Sequence, residues 1–129
     1  MQLMVEVSVG EVIDKITILE IKTQRIADLA KLANVRAELD SLNDTLAVVL
    51  TPSADLARLQ GELFEINAAL WDIEDEIREC EMRGDFGPRF VELARAVYVT
   101  NDKRAAVKKQ INIALGSRLI EEKSYAGSL

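Results

Sequence analysis

The groups able to do chemistry in this chain are carboxylates, side-chain amides, guanidinium and ammonium groups and one indole. Its 129 residues contain no histidine and a single cysteine, Cys80. The absence of histidine excludes an imidazole base, a Ser-His-Asp triad and a Cys/His zinc site. One cysteine excludes a disulfide within the chain. What is left is a carboxylate as acid, base or ligand of a hard cation such as magnesium, and Arg or Lys as the grip on an anion. Such residues matter most where they interrupt an apolar helical stripe, because a charge there is costly unless something pairs with it.

Three interruptions stand out. At about 100° per residue, Glu20 falls among Val9, Ile13, Ile16 and Ala27. It reads as a ligand, metal or catalytic carboxylate, or as half of a structural ion pair. Gln60, Phe64, Asn67, Trp71, Glu74 and Arg78 recur at steps of 4, 3, 4, 3 and 4, which is one face of a helix. That face reads as a groove in which Phe64 and Trp71 give apolar area and the polar groups fix orientation, or as the second packed side of a central helix. Asn101, Arg104, Lys108 and Asn112 share a flank beside Val107, Ile111 and Leu115. Two cations between two amides could hold a phosphate, or could meet Glu20 and Glu74 in an internal network. Cys80 lies on a leucine stripe and reads as a small buried apolar residue.

The elements that must position these residues follow from period and punctuation. Residues 1–8 alternate weakly through Leu3, Val5 and Val7 and read as a short strand. A strand needs a partner for its backbone groups; the tail around Arg118 to Tyr125 and the same segment of a second copy are the two candidates. Ser8 and Glu11 fit a capping box that opens a helix over 9–30. Leu32, Val35, Leu39, Leu42, Leu46 and Val49 step by 3, 4, 3, 4 and 3 over a second helix, 33–50. Leu56, Leu59, Leu63, Ile66, Leu70, Ile73, Ile77 and Cys80 keep that spacing over a third, 54–82. Two heptad stripes joined by Thr51-Pro52-Ser53 predict a long antiparallel hairpin zipped like a short coiled coil, with the Trp71 face free for another neighbour. Gly61, inside the third helix, would admit close approach of another helix. Gly84-Asp85-Phe86-Gly87 ends that helix, and Pro88 fits the first turn of the next. A break at Thr100-Asn101-Asp102, with Asn101 as a cap, splits 88–115 before Gly116, and 118–129 is a tail. The expected fold is one all-α domain: a long antiparallel helical hairpin with additional packed helices and a short N-terminal strand.

Composition bounds the partners. Acids outnumber bases 22 to 16, for a net charge of −6, the opposite of the basic face a nucleic-acid binder shows. No apolar run approaches the ~20 residues needed to span a bilayer, and the first residues lack the pattern of a secretory signal. The expectation is a soluble cytoplasmic protein with neither nucleic acid nor membrane as partner. A hairpin this long exposes more apolar surface than so short a chain can cover, so a homodimer or a protein partner is expected. Glu62 and Glu65 with Asp72 and Asp75 are similar to the paired carboxylates of all-helical nucleotide pyrophosphatases. On one helix, ten residues apart, the pairs stand about 15 Å from each other and cannot share a metal.

Several strings together resemble an uncharacterised bacterial family of small helical proteins, over nearly the whole chain. They are Val7-Ser8-Val9-Gly10-Glu11, the run Asp14 to Lys22, Asn34-Val35-Arg36, Leu70-Trp71-Asp72-Ile73-Glu74-Asp75, Asn101-Asp102-Lys103-Arg104-Ala105, Ile111-Asn112 and Glu121-Glu122-Lys123-Ser124-Tyr125. The resemblance implies a bacterial cytoplasmic protein in a surface-polysaccharide setting. It assigns chemistry to no residue, but its strings include Glu20, Trp71, Glu74, Asn101, Arg104 and Asn112, where the stripes break, which points to one polar cluster. The leading expectation is a non-catalytic helical interaction and oligomerisation module without a cofactor. The alternative is a small-molecule binder or enzyme acting on a phosphorylated or sugar-nucleotide ligand. There Glu20 and Glu74 would supply carboxylates or hold magnesium, Arg104 and Lys108 would hold phosphate, and Asn67, Trp71, Asn101 and Asn112 would complete the site. A cluster open to water favours the alternative; a dry, mutually paired one favours the module.

Overall fold

The structure is a computed structural model that describes residues 1–127. It contains α1 (Val9–Arg25), α2 (Leu29–Val49), α3 (Ala54–Arg83) and α4 (Pro88–Ala114). The helices begin where the sequence supplies a cap or a proline. Ser8 Oγ accepts from the Glu11 amide at 3.2 Å, Asp28 Oδ1 from Lys31 at 2.9 Å and Ser53 Oγ from Leu56 at 3.1 Å, while Pro88 opens α4. Gly84 ends α3 in the left-handed region at φ 67°. The returning half of the capping box at Ser8 is absent, because the Glu11 carboxylate goes to Lys108 instead.

Several expected boundaries are corrected. Asp28 caps a new helix, so α1 stops at Arg25, short of residue 30, and α2 starts at Leu29 rather than 33. The expected break at Thr100-Asn101-Asp102 does not occur. These residues are half-buried within an unbroken α4, and packing there overrides their weak helix propensity. Residues 1–7 form no strand, and no strand occurs anywhere among the described residues. All seven are exposed, and the tail reaches them through an ion pair between Arg118 and Glu6 rather than a backbone ladder. Residues 128–129 of the expected tail lie outside the described residues.

The largest correction concerns which helices pair. No Cα atom of α2 comes within 8 Å of one in α3, so the two leucine seams do not zip together. The hairpin is formed by α3 and α4, and α1 packs against all three other helices. The reason lies in α1. Ile13, Asp14, Ile16, Thr17, Leu19 and Ile21 are buried, leaving in water mainly the strip that carries Glu11 and Lys15. A helix buried nearly all round belongs at the centre of a domain. The short link after Arg25 folds α2 back along α1, where Leu32 and Val35 are buried and Glu38 meets Lys15 at 2.5 Å. The α3 seam gives Leu59 and Leu63 to a core shared with Ile13, Val107 and Ile111, and α2 reaches that core through Leu46 and Leu50.

Two features of this arrangement position the site. First, α1 crosses α4 at Gly10, whose amide donates to Asn112 Oδ1 at 2.6 Å. A Cβ there would lie 2.6 Å from the Lys108 carbonyl oxygen and 2.8 Å from Asn112 Oδ1, so only glycine permits the approach. Second, α1 has 17 residues against 30 in α3 and 27 in α4. At 1.5 Å per residue it spans roughly 25 Å of a hairpin that is over 40 Å long. It therefore ends beside Asp72, which pairs with Arg25, and the α3/α4 pair continues beyond it around Cys80 and Leu93, both buried.

The glycines give a paired test. Gly10→Ala should cost about 2 kcal/mol of unfolding free energy by urea denaturation, because α1 must move off α4. A Cβ on Gly61 meets nothing within 4 Å, so no helix approaches closely there, contrary to expectation. Gly61→Ala should therefore gain up to about 1 kcal/mol from helix propensity. Similar changes at both positions would contradict the close crossing.

Candidate functional site

The polar residues of three helices meet around one carboxylate. Asp14 of α1 is buried, and its Oδ1 accepts from Asn67 Nδ2 of α3 at 2.9 Å and from Arg104 Nε of α4 at 2.9 Å. Its Oδ2 accepts from Arg104 Nη2 at 2.5 Å, which makes the pair bidentate. Thr17 accepts a second bond from Asn67 Nδ2 at 2.9 Å and donates to the Asp14 carbonyl at 2.7 Å. The hydrogen bond to Asp14 raises the Arg104 guanidinium above its ordinary range, against the opposing effect of burial. One turn along α4, Lys108 donates to Glu11 and to Glu121 of the tail, each at 2.7 Å. Burial pulls the Lys108 ammonium down, and those hydrogen bonds more than offset it, leaving it raised. No buried side-chain nitrogen or oxygen among the described residues lacks a partner.

Beside this knot, where α1 runs out, a cleft of about 400 Å³ opens between α3 and α4. Asn67, Trp71, Glu74, Asn101 and Arg104, five of the eight site residues expected from the sequence, line it together with Ile18, Ile21, Leu70, Asp75 and Arg78. The other three lie elsewhere. Lys108 sits in the ion-pair group with Glu11 and Glu121, and Asn112 is buried against Gly10. Glu20 is half-buried on α1, lines no part of the cleft, and makes no side-chain hydrogen bond or ion pair among the described residues. Burial pushes its carboxyl up from the ordinary range.

The arrangement decides what these groups can do. Arg104 and Lys108, expected to grip phosphate, are both already paired with carboxylates. Glu74 pairs with Arg78 at 3.3 Å, and Glu20 does not join it on a shared metal. No group of three or more acidic or cysteine side chains among the described residues is placed to hold a metal ion. The residues missed by the sequence reading are Gly10, Asp14 and Thr17. Their spacing of 4 and 3 puts them on one ridge of α1, and a small-polar-polar ridge facing the Asn101–Asn112 flank was the available signal.

Residues 3–129 match the family of unknown function DUF6165, and the chain belongs to that family. No curated protein and no solved structure matches it.

Asp14→Asn should lower the unfolding free energy by about 3 kcal/mol, since it strands the largely buried Arg104 charge. A loss below about 1 kcal/mol would mean that water replaces the carboxylate freely. Glu20 supplies a pH test. Its folded-state pKa is raised, so the native state holds that proton more tightly than the unfolded chain does. The stability from that proton is present at low pH and is lost as pH rises through the folded-state pKa. Glu20→Gln should therefore raise the melting temperature at pH 7–8, with the gain vanishing below pH about 4. A constant gain at every pH would place the effect outside ionisation.

Proposed function

We propose that this member of the family acts as a non-catalytic helical module that assembles through its own surface, in the simplest case as a homodimer. One observation carries the reading. Residues 1–7 are exposed, none of their backbone groups makes a hydrogen bond among the described residues, and Leu3, Met4 and Val5 stand largely in water with Val7 about half exposed. An apolar segment with a free ladder of amides and carbonyls gains both hydrogen bonds and apolar burial when it meets a second chain. Leu29 at the start of α2 and Val48 and Val49 at its end are exposed as well.

The interior supports the same reading. The side chains best suited to chemistry bind one another: Asp14 holds Arg104 and Asn67, and Lys108 holds Glu11 and Glu121. Charges paired in this way lock helices in place, which suits a scaffold better than a reaction centre, even though Asn67 and Arg104 also border the open cleft. A bacterial cytoplasm is the setting proposed for such a module, a reading the resemblance supports. No described helix is long and apolar enough to cross a membrane.

Sedimentation equilibrium on the full chain tests assembly. The expected result is a dimer whose mass falls to that of the monomer in a Leu3→Asp/Val5→Asp double variant. A parent chain that stays monomeric at its highest soluble concentration, or a double variant that dimerises as tightly as the parent, would refute the role of residues 1–7.

A further inference from the structure

The cleft beside Trp71 keeps hydrogen-bonding capacity that the fold does not use. Asn67 is only 5 % exposed, and its Nδ2 is committed to Asp14 and Thr17. Those bonds fix the amide's orientation, because the flipped amide would set an oxygen against the Asp14 carboxylate. Its Oδ1 accepts nothing among the described residues. Since no fully buried side-chain oxygen among the described residues lacks a partner, Oδ1 keeps some contact with solvent, and Asn67 is a lining residue of the cleft. A nearly buried residue with a spare acceptor in the wall of an open cavity offers a position for a donor.

The charges around the cleft say which donor. Arg104 is matched by Asp14, and Arg78 by Glu74. Asp75 lines the cleft and makes no ion pair among the described residues, so one negative charge is left uncompensated. An unpaired carboxylate, an indole and a free acceptor together suit a cation. The ring attracts an ammonium or guanidinium, the carboxylate neutralises it, and the amide oxygen accepts one of its N–H groups. Ile18, Ile21 and Leu70 give the same cleft apolar surface for a stem. A phosphorylated ligand would meet Asp75 and Glu74 without a free cation to hold it, and the net charge of −6 would slow its approach.

We propose that this cleft binds an organic cation: a guanidinium or primary ammonium group on an apolar stem, presented by a free amine or by an Arg or Lys side chain of a partner. The site is separate from residues 1–7, so it stands or falls independently of dimer formation. Trp71 is the lone tryptophan of the chain, which makes its fluorescence a direct readout of the cleft. The full chain would be titrated with butylguanidinium, butylammonium, a blocked Ala-Arg-Ala tripeptide and inorganic pyrophosphate. The expected result is a saturable change with a cation, none with pyrophosphate, and about tenfold weaker binding in Asp75→Asn. Asp75 is exposed and far-UV circular dichroism verifies that the variant folds. Saturation by the butyl compounds assigns a free amine; saturation by the tripeptide alone assigns a partner's side chain. An Asp75→Asn variant that titrates like the parent, a response to pyrophosphate in place of the cations, or silence with every cation would overturn the proposal.

Discussion

A carboxylate buried where three helices meet fixes how those helices are aligned. Asp14 sits on α1 with donors from Asn67 of α3 and Arg104 of α4. Burying that charge is expensive, and only a full set of partners makes it tolerable. The arrangement therefore has one register. Sliding α1 by a turn along the α3/α4 hairpin would move Asp14 off both donors and leave two charges stranded. The apolar contacts of Ile13 with Leu59, Leu63, Val107 and Ile111 drive association, but greasy surfaces of similar shape accept several alignments. The polar knot selects among them.

Fixing α1 in that position has consequences at both of its ends. At the start, Gly10 clamps onto Asn112, and the chain before Ser8 is left outside the bundle. At the finish, α1 stops beside Asp72 while α3 and α4 run on. The space it no longer fills is the Trp71 cleft. The exposed N-terminal segment and the cleft are thus two products of one short central helix. Beyond α1 the hairpin has only its own two faces to bury, which is why the core there narrows to Cys80 and Leu93.

Much of this was legible in the residues, and the rest was hidden for identifiable reasons. Caps at Ser8 and Ser53 and the turn at Gly84 to Gly87 report local preference and are found; the leucine stripes also mark covered faces, though in α2 only Leu32 and Val35 are buried and Val49 is exposed. The stripes say which face of α2 or α3 seeks cover; they do not say what covers it. Proximity in sequence suggested that α2 and α3 would cover each other, but α1, apolar around most of its girth, took the central place. Asn67, Trp71, Glu74, Asn101 and Arg104 were recognisable because they interrupt amphipathic patterns, and they do converge on one cleft. Asp14 was not, because it sits between Gly10 and Thr17 on a ridge of small and polar residues, where it breaks no apolar stripe. Glu20 interrupts its stripe in earnest, yet it lies away from the cleft, half-buried and raised in pKa by desolvation. An interruption marks strain as readily as it marks function.

A double-mutant cycle shows whether Asp14 and Arg104 act as one unit at the helix junction. Unfolding free energies of the parent chain, Asp14→Ala, Arg104→Ala and the double variant give the coupling energy between the two side chains. Strong non-additivity, at least about 1.5 kcal/mol, is expected, because each single change strands the other charge while the double change removes both. Additive losses within about 0.5 kcal/mol would show that the two side chains contribute separately, and the register of α1 would then need another explanation.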